Sequence, residues 1–298
     1  MRKPEHADVL VIGAGASGAL VSLVLAERGL KVVCLDQGGW TAPAEHPHFS
    51  RDFQWQRQNR WNPEPAERHS ESDYPVEGHQ SHALMWNAVG GSTNIFAALW
   101  PRYRPSDFRK GVEHGLAPDW PIGYADIAPF YDEIDRLIGV SGLTGDRALP
   151  PRGSPYPLPP LPMGPSGRAI AGAFDRLGWH WWPMPAGVIS EPYDGRPACN
   201  GCGNCASGCP RGSMAKMSLT VWPRAVAAGT DLRPFARVER IETDALGLAS
   251  GAVYIDRTRG ERVFQSADLV VLSANGVGSP RLLLLSGSAR FPRGLANS

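Results

Sequence analysis

Apolar positions fall in two rhythms over the first forty residues. Asp8-Val9-Leu10-Val11-Ile12 is a short, nearly continuous apolar run that stops at Gly13, and Ala19 to Arg28 then repeats apolar residues at helical spacing until Gly29 ends it. Lys31 to Asp36 reads as a second buried strand. Strand, helix and strand in this order predict a βαβ unit, and therefore a parallel sheet with a right-handed crossover. From about Trp40 to His82 the pattern has no period and is broken by aromatic residues and prolines. That stretch predicts extended loops lying over a site, with a disordered linker as the alternative. Periodicity returns from Asp126 to Ile138, where Ile127, Phe130, Ile134 and Leu137 share one helical face and Pro129 is tolerable only in the first turn. Between Pro150 and Pro165 eight prolines favour polyproline II, which makes this stretch a connector. Behind it, Ser166 is placed to cap a helix with the stripe Ile170, Ala173, Phe174 and Leu177, closed by Gly178. The rest is strand-rich: Leu232 to Thr243, a hairpin around Arg257 to Gly260, a strand at Leu269 to Ser273, and a helix from Ser279.

Composition narrows the classes. A chain of 298 residues with 42% hydrophobic content can bury a large core. Thirty basic side chains against 29 acidic ones leave a net charge of +1, so no global field gathers nucleic acid or an anionic membrane. The longest apolar runs, Leu269 to Leu272 and Leu282 to Leu285, fall far short of the roughly 18 residues of a spanning helix, so no transmembrane segment is expected. The short polar stretch before Asp8 leaves no room for a hydrophobic signal region, which points to a cytoplasmic location.

Gly13-Ala14-Gly15-Ala16-Ser17-Gly18 is a G-x-G-x-x-G pattern placed between a strand and a helix, where it has physical meaning. Gly13 permits the tight turn, Gly15 lets backbone approach a pyrophosphate, and Gly18 allows close helix–strand packing. The helix start offers unpaired N–H groups and a positive dipole end, at Ala16 and Ser17, to phosphates. Asp36 ends the second strand 18 residues after Gly18, where its carboxylate can accept from a ribose hydroxyl. Together these predict a Rossmann-like dinucleotide-binding α/β fold and leave FAD and NAD both open.

Asn87-Ala88-Val89-Gly90-Gly91-Ser92-Thr93-Asn94 resembles the flavin loop of the glucose–methanol–choline (GMC) oxidoreductase family, and Ser273-Ala274-Asn275-Gly276-Val277-Gly278-Ser279-Pro280-Arg281-Leu282-Leu283 resembles its second signature. The second departs from the stricter pattern by having Asn275-Gly276 where a Gly-Ala pair is common. Trp100 to Phe108, Asp119 to Ile122, Glu191 to Pro197 and Gly294 to Ser298 bring the closer resemblance to the fructose, sorbitol, gluconate and FAD-glucose dehydrogenases. The resemblance implies FAD as cofactor, with Gly90 and Gly91 packing backbone close to the flavin, Ser92 and Asn94 at its edge, Ala274 and Asn275 in the second signature, and Val238 touching the adenine through backbone. It implies hydride transfer from a CH–OH group of an alcohol, polyol or sugar to the flavin. It also implies an N-terminal portion of a longer fold, its catalytic base lying beyond Ser298.

On this reading residues 7–110 form the first part of the FAD-binding domain with flavin-covering loops. Residues 111–220 form an inserted partial cap region with the proline-rich connector and the cysteine loop, and 221–298 return to the FAD-binding domain, the C-terminal substrate domain being absent. Cys199, Cys202, Cys205 and Cys209, followed by Pro210, have C-x2-C-x2-C-x3-C-P spacing, which serves iron–sulfur ligation better than a disulfide framework. Relatives with C-x5-C-x3-C, matched here by Cys199, Cys205 and Cys209, imply a three-iron cluster. Cys202 would make it a four-iron one, and zinc or a metal-free loop remain alternatives. The implied partners are a cytochrome c subunit and a small signal-bearing subunit, through which a periplasmic location is the alternative to a cytoplasmic one. Two other readings stay open: an electron-transfer or binding module acting through the cysteine loop without substrate chemistry, and an NAD-dependent reductase. None of the eight histidines, among them His6, His46, His114 and His180, sits in a pattern that marks a catalytic base.

Overall fold

The computed structural model describes residues 5–46, 61–62, 73, 84–115 and 118–297. The chain packs as two compact units, one of Met1–Phe96, Asn204–Pro210 and Lys216–Ser298, the other of Ala97–Gly203 and Arg211–Ala215. Most of the loop stretch expected from 40 to 82 lies outside the described residues.

The first unit is built on a six-stranded sheet in the order β3-β2-β1-β6-β5-β4. β1 (Ala7–Ile12), helix α1 (Ala16–Glu27) and β2 (Val32–Leu35) form the expected βαβ unit, with β1 and β2 parallel from Val9–Val32 to Ile12–Leu35. The strand expected over Leu232 to Thr243 is two strands, β3 (Asp231–Arg233) beside β2 and β4 (Ala236–Thr243) at the opposite edge. Pro234 and Phe235 break it: proline cannot donate to a ladder, and Phe235 takes φ +56°. β5 (Ala249–Asp256) and β6 (Glu261–Leu272) make the hairpin. β6 is long because it serves two partners, its first half antiparallel to β5 and its second half, from Ala267, parallel to β1. The strand expected at Leu269 to Ser273 is the end of this element.

β1 and β2 are almost wholly buried, as their unbroken apolar runs require of strands covered on both faces. One face carries a cluster of Leu10, Ile12, Val33, Leu35, Ala236, Val238, Tyr254 and Leu282. α1 buries Gly18, Ala19, Ser22, Leu23 and Ala26.

The second unit contains α2 (Tyr124–Ile138) and α3 (Pro165–Leu177). α2 does not bury the stripe its sequence suggests: Phe130 is 61% exposed, while Asp132 and Asp135 are buried with Tyr124 and Ile138. The two carboxylates face Arg102 at 2.5 and 2.6 Å, and Arg152 reaches Asp135 at 2.8 Å. Burial works against charge on Asp132, yet the bond and charge of Arg102 hold its carboxyl below the usual range. α3 starts at Pro165 with Gly164 as its cap residue, so Ser166 sits inside the first turn instead of capping it. Its stripe is open, with Ile170 and Leu177 both exposed and Ala171 buried.

Completing the first unit are α4 (Met217–Thr220), α5 (Trp222–Ala227) and α6 (Asn275–Leu285). α6 begins four residues before the expected Ser279.

Candidate functional site

A cleft of about 520 Å³ opens in the first unit at the carboxyl ends of β1 and β2. In parallel α/β sheets this end is where ligands bind. The strand–turn–helix fingerprint forms one wall. Gly13 takes φ +103°, and a Cβ there would lie 2.5 Å from the Ser273 carbonyl oxygen. At Gly18 a Cβ would lie 1.9 Å from the Gly13 carbonyl oxygen, the close helix–strand approach its position suggests. Gly15 differs: it lines the cleft and a Cβ there meets nothing within 4 Å. The open space beside Gly15 is the room a pyrophosphate needs, and α1 starts beside it with no side-chain cap on its first-turn N–H groups.

Asp36 lies in the cleft wall just past β2. Its two carboxylate oxygens accept the backbone N–H groups of Ala14 and Gly38, both at 2.8 Å. Desolvation raises the carboxyl from 3.8 to about 6 in spite of those two donors. Each oxygen keeps a further lone pair for a hydroxyl donor.

The second glycine loop closes over the first. The Gly90 N–H donates to the Ala14 carbonyl at 2.8 Å, and a Cβ on Gly91 (φ +54°) would lie 2.9 Å from the Gly15 Cα. Gly91 and Ser92 line the cleft and Gly90 does not. Asn94, expected at the flavin edge, is fully buried instead. Its amide donates to the carbonyls of Val89 (2.9 Å) and Gly91 (3.0 Å) and accepts from the Ser218 hydroxyl (2.8 Å), so it shapes the loop from behind.

The far wall comes from β4, β6 and α6. Val238 lines it beside a register shift in the β4–β5 ladder. Ala274 and Asn275 line it too, and the Asn275 side chain accepts the N–H groups of Val277 and Gly278 at 2.8 and 2.9 Å, capping α6. The buried Ser273 hydroxyl, in the same wall, has no hydrogen-bond partner. A buried hydroxyl left unpaired in a cleft wall suits a polar ligand. Gly13, Gly15, Ala16, Ser17, Asp36, Gly91, Ser92, Val238, Ala274 and Asn275 thus share one cleft. Trp86, Thr93, Ser273 and Arg281 belong to it as well, without having been singled out. All four stand in or next to the two signature stretches, which was the available signal.

The cysteine run does not assemble as its spacing suggests. Cys199, Cys202, Cys205 and Cys209 are free thiols, and among the described residues no three His, Cys, Asp or Glu side chains group to hold a metal ion. Cys199 and Cys202 pack with the second unit, Cys205 and Cys209 with the first. Left-handed turns at Gly201, Gly203 and Gly208 redirect the backbone between them. The cysteine geometry therefore does not fit an iron–sulfur cluster.

Residues 161–294 match the GMC oxidoreductase family, and residues 6–50 match an FAD binding domain. The chain is 49% identical over 296 residues to the 2-methyl-1,2-propanediol dehydrogenase of Mycolicibacterium austroafricanum, covering 99% of this chain and 53% of that protein. It is 32% identical over 320 residues to the fructose dehydrogenase large subunit of Gluconobacter japonicus, covering 98% and 56%. Among solved structures, pyridoxine 4-oxidase from Mesorbium loti matches with a TM-score of 0.60 at 21% identity, over 95% of this chain and 52% of that one, which is a likeness of fold. The chain spans about half the length of the curated relatives it matches. With two glycine loops, an acid past β2 and these matches, the chain belongs to the GMC oxidoreductase family. The dinucleotide for its cleft is FAD.

Proposed function

We propose that this chain is the cofactor-binding part of an FAD-dependent dehydrogenase that oxidises CH–OH groups of small alcohols carrying several hydroxyls, such as diols, polyols and sugars. The observation that carries the reading is the cleft in which Gly15, Gly91, Asp36 and the start of α1 converge. The substrate class rests on the 49% identical relative, named for a diol, and the 32% identical one, named for a sugar. In this reading Gly15 and the first-turn N–H groups of α1 hold the pyrophosphate, Asp36 takes a ribose hydroxyl, and Val238 borders the adenine. The Gly91–Ser92 turn lies against the flavin. Bound flavin supplies a hydride acceptor. The base for the alcohol proton is assigned to the part of the relatives that this chain does not match.

Electrons then leave to an external acceptor, with a cytochrome c subunit and a small signal-bearing subunit as proposed partners. An iron–sulfur route through Cys199, Cys205 and Cys209 rests on spacing alone. The test is anaerobic purification, followed by identification of released flavin, counting of iron and acid-labile sulfide, and dye-linked turnover of a 1,2-diol, fructose and gluconate by the chain extended to its relatives' length. FAD with diol-dependent dye reduction supports the reading. NAD in place of FAD, or an FAD-loaded extended protein inert to all three alcohols, overturns it, and protein without iron removes the cluster route.

A further inference from the structure

Behind the cleft, three rings of the first unit form a column. Trp86 lines the cleft, Trp61 is stacked on it with ring centroids 5.3 Å apart and planes 8° from parallel, and His46 follows at 4.4 Å from Trp61. Trp61 and His46 are 4% and 1% exposed. The column ends on the cysteine loop. His46 Nδ1 lies 3.2 Å from the Ser207 carbonyl oxygen, and a Cβ on Gly208 would fall 1.8 Å from the same nitrogen. Cys205 and Ala206, one turn earlier, are only half-buried.

Packing alone does not ask for this arrangement. His46 Nε2 is buried without a hydrogen-bond partner, a cost that a leucine in the same place would avoid. Burial, with the Lys216 ammonium nearby, pushes the ring down to about 3, so it is neutral at physiological pH and Nδ1–H donates to Ser207. Offset and parallel aromatic rings at these separations are in van der Waals contact. Electron transfer through protein falls off exponentially with the gaps to be crossed, and stacked π systems divide one long gap into short ones.

We propose that Trp86, Trp61 and His46 form the path by which electrons leave the reduced flavin one at a time, toward a one-electron acceptor protein that docks at Cys205–Ala206. Each reduced flavin reduces two ferric haem centres of the acceptor, returns to its oxidised form and releases its proton to water. The inference rests on the FAD reading of the cleft.

The experiment uses the FAD-loaded chain, reduced under argon with stoichiometric dithionite and mixed with ferric cytochrome c, which is too large for the cleft, or with ferricyanide, which is small. Trp61→Leu slows reduction of cytochrome c by about tenfold, equivalent to about 1.4 kcal/mol in activation free energy, while Trp61→Phe keeps the ring and stays within about twofold. Ferricyanide reduction, FAD affinity and the flavin absorbance spectrum remain those of the unaltered chain in both variants. Equal cytochrome c rates for Trp61→Leu and the unaltered chain, with flavin bound, overturn the path and leave the cleft assignment standing. Loss of FAD affinity in both variants, with both acceptors slowed alike, assigns Trp61 to packing and overturns it too. A chain that retains no FAD overturns both readings, and shows it before any mixing.

Discussion

The two units of this chain put charge and glycine to opposite uses. In the first, glycines remove side chains so that backbone can approach backbone and leave a cleft open, as at Gly15 and Gly91, and its single cleft acid is held by two N–H donors. In the second, charge replaces an apolar core: Arg102, Asp132, Asp135 and Arg152 are each at most 9% exposed at their side chains and bind one another. One unit is shaped around a ligand, and the other is held by partners within itself. The first should therefore respond mainly in binding when altered, and the second mainly in stability.

The largest expected effect breaks the second unit. Arg102→Ala leaves two carboxylates buried with one remaining cation, and costs about 3–5 kcal/mol by chemical denaturation. Replacing a core leucine elsewhere is no guide to it, because the penalty here is an uncompensated charge. An effect below about 1 kcal/mol would mean that water reaches Asp132 and Asp135 and that the network is not a core.

Next comes Gly18→Val in the first unit. Its branched side chain must displace the Gly13 carbonyl or move α1 off β1, an overpacking worth about 1–3 kcal/mol, with loss of FAD binding as a consequence of the distorted turn. Thermal unfolding and flavin retention are expected to fall together in this variant.

The smallest effect is a difference in sign with pH. Asp36 binds its proton more tightly folded than unfolded, so its contribution destabilises the fold as pH rises from about 4 to 6 and is constant above that window. Asp132 is shifted down, so its stabilisation is complete above its ordinary value of 3.8 and is lost as pH falls through the lower folded value. Because the ionised Asp36 is the better acceptor for a ribose hydroxyl, FAD affinity should weaken as pH falls through about 6. Fluorescence titration from pH 5 to pH 8, set at about those limits by the shifted carboxyl, should show a one-proton dependence that Asp36→Asn removes.

Legibility divides along the same line. The fingerprint, Asp36 and the two signature stretches are local patterns whose physics is backbone conformation, and backbone conformation is written in glycines a few residues apart. Asn94 was misleading because its partner Ser218 is 124 residues away, and only that bond turns the amide inward. Asp132 and Asp135 were unreadable for a similar reason. Which face of α2 is buried depends on Arg102 and Arg152, about a helix length or more away along the chain, so the apolar stripe at Phe130 outvoted them. The split of Leu232 to Thr243 could have been anticipated at Pro234. Cysteine spacing alone says nothing about which packing unit each thiol joins.

The most direct test of the cleft is an FAD titration of the unaltered chain beside Gly15→Val, followed by thermal unfolding of both. Gly15 has φ −74° and open space for a side chain, so valine leaves the fold intact while filling the place of the pyrophosphate. The account predicts saturable binding of one FAD by the unaltered chain, loss of at least about a hundredfold in affinity for Gly15→Val, equal to about 2.7 kcal/mol, and midpoints within about 2 °C of each other without ligand. Equal FAD affinity for the two proteins would contradict it, because the dinucleotide would then be bound somewhere other than between the glycine loops.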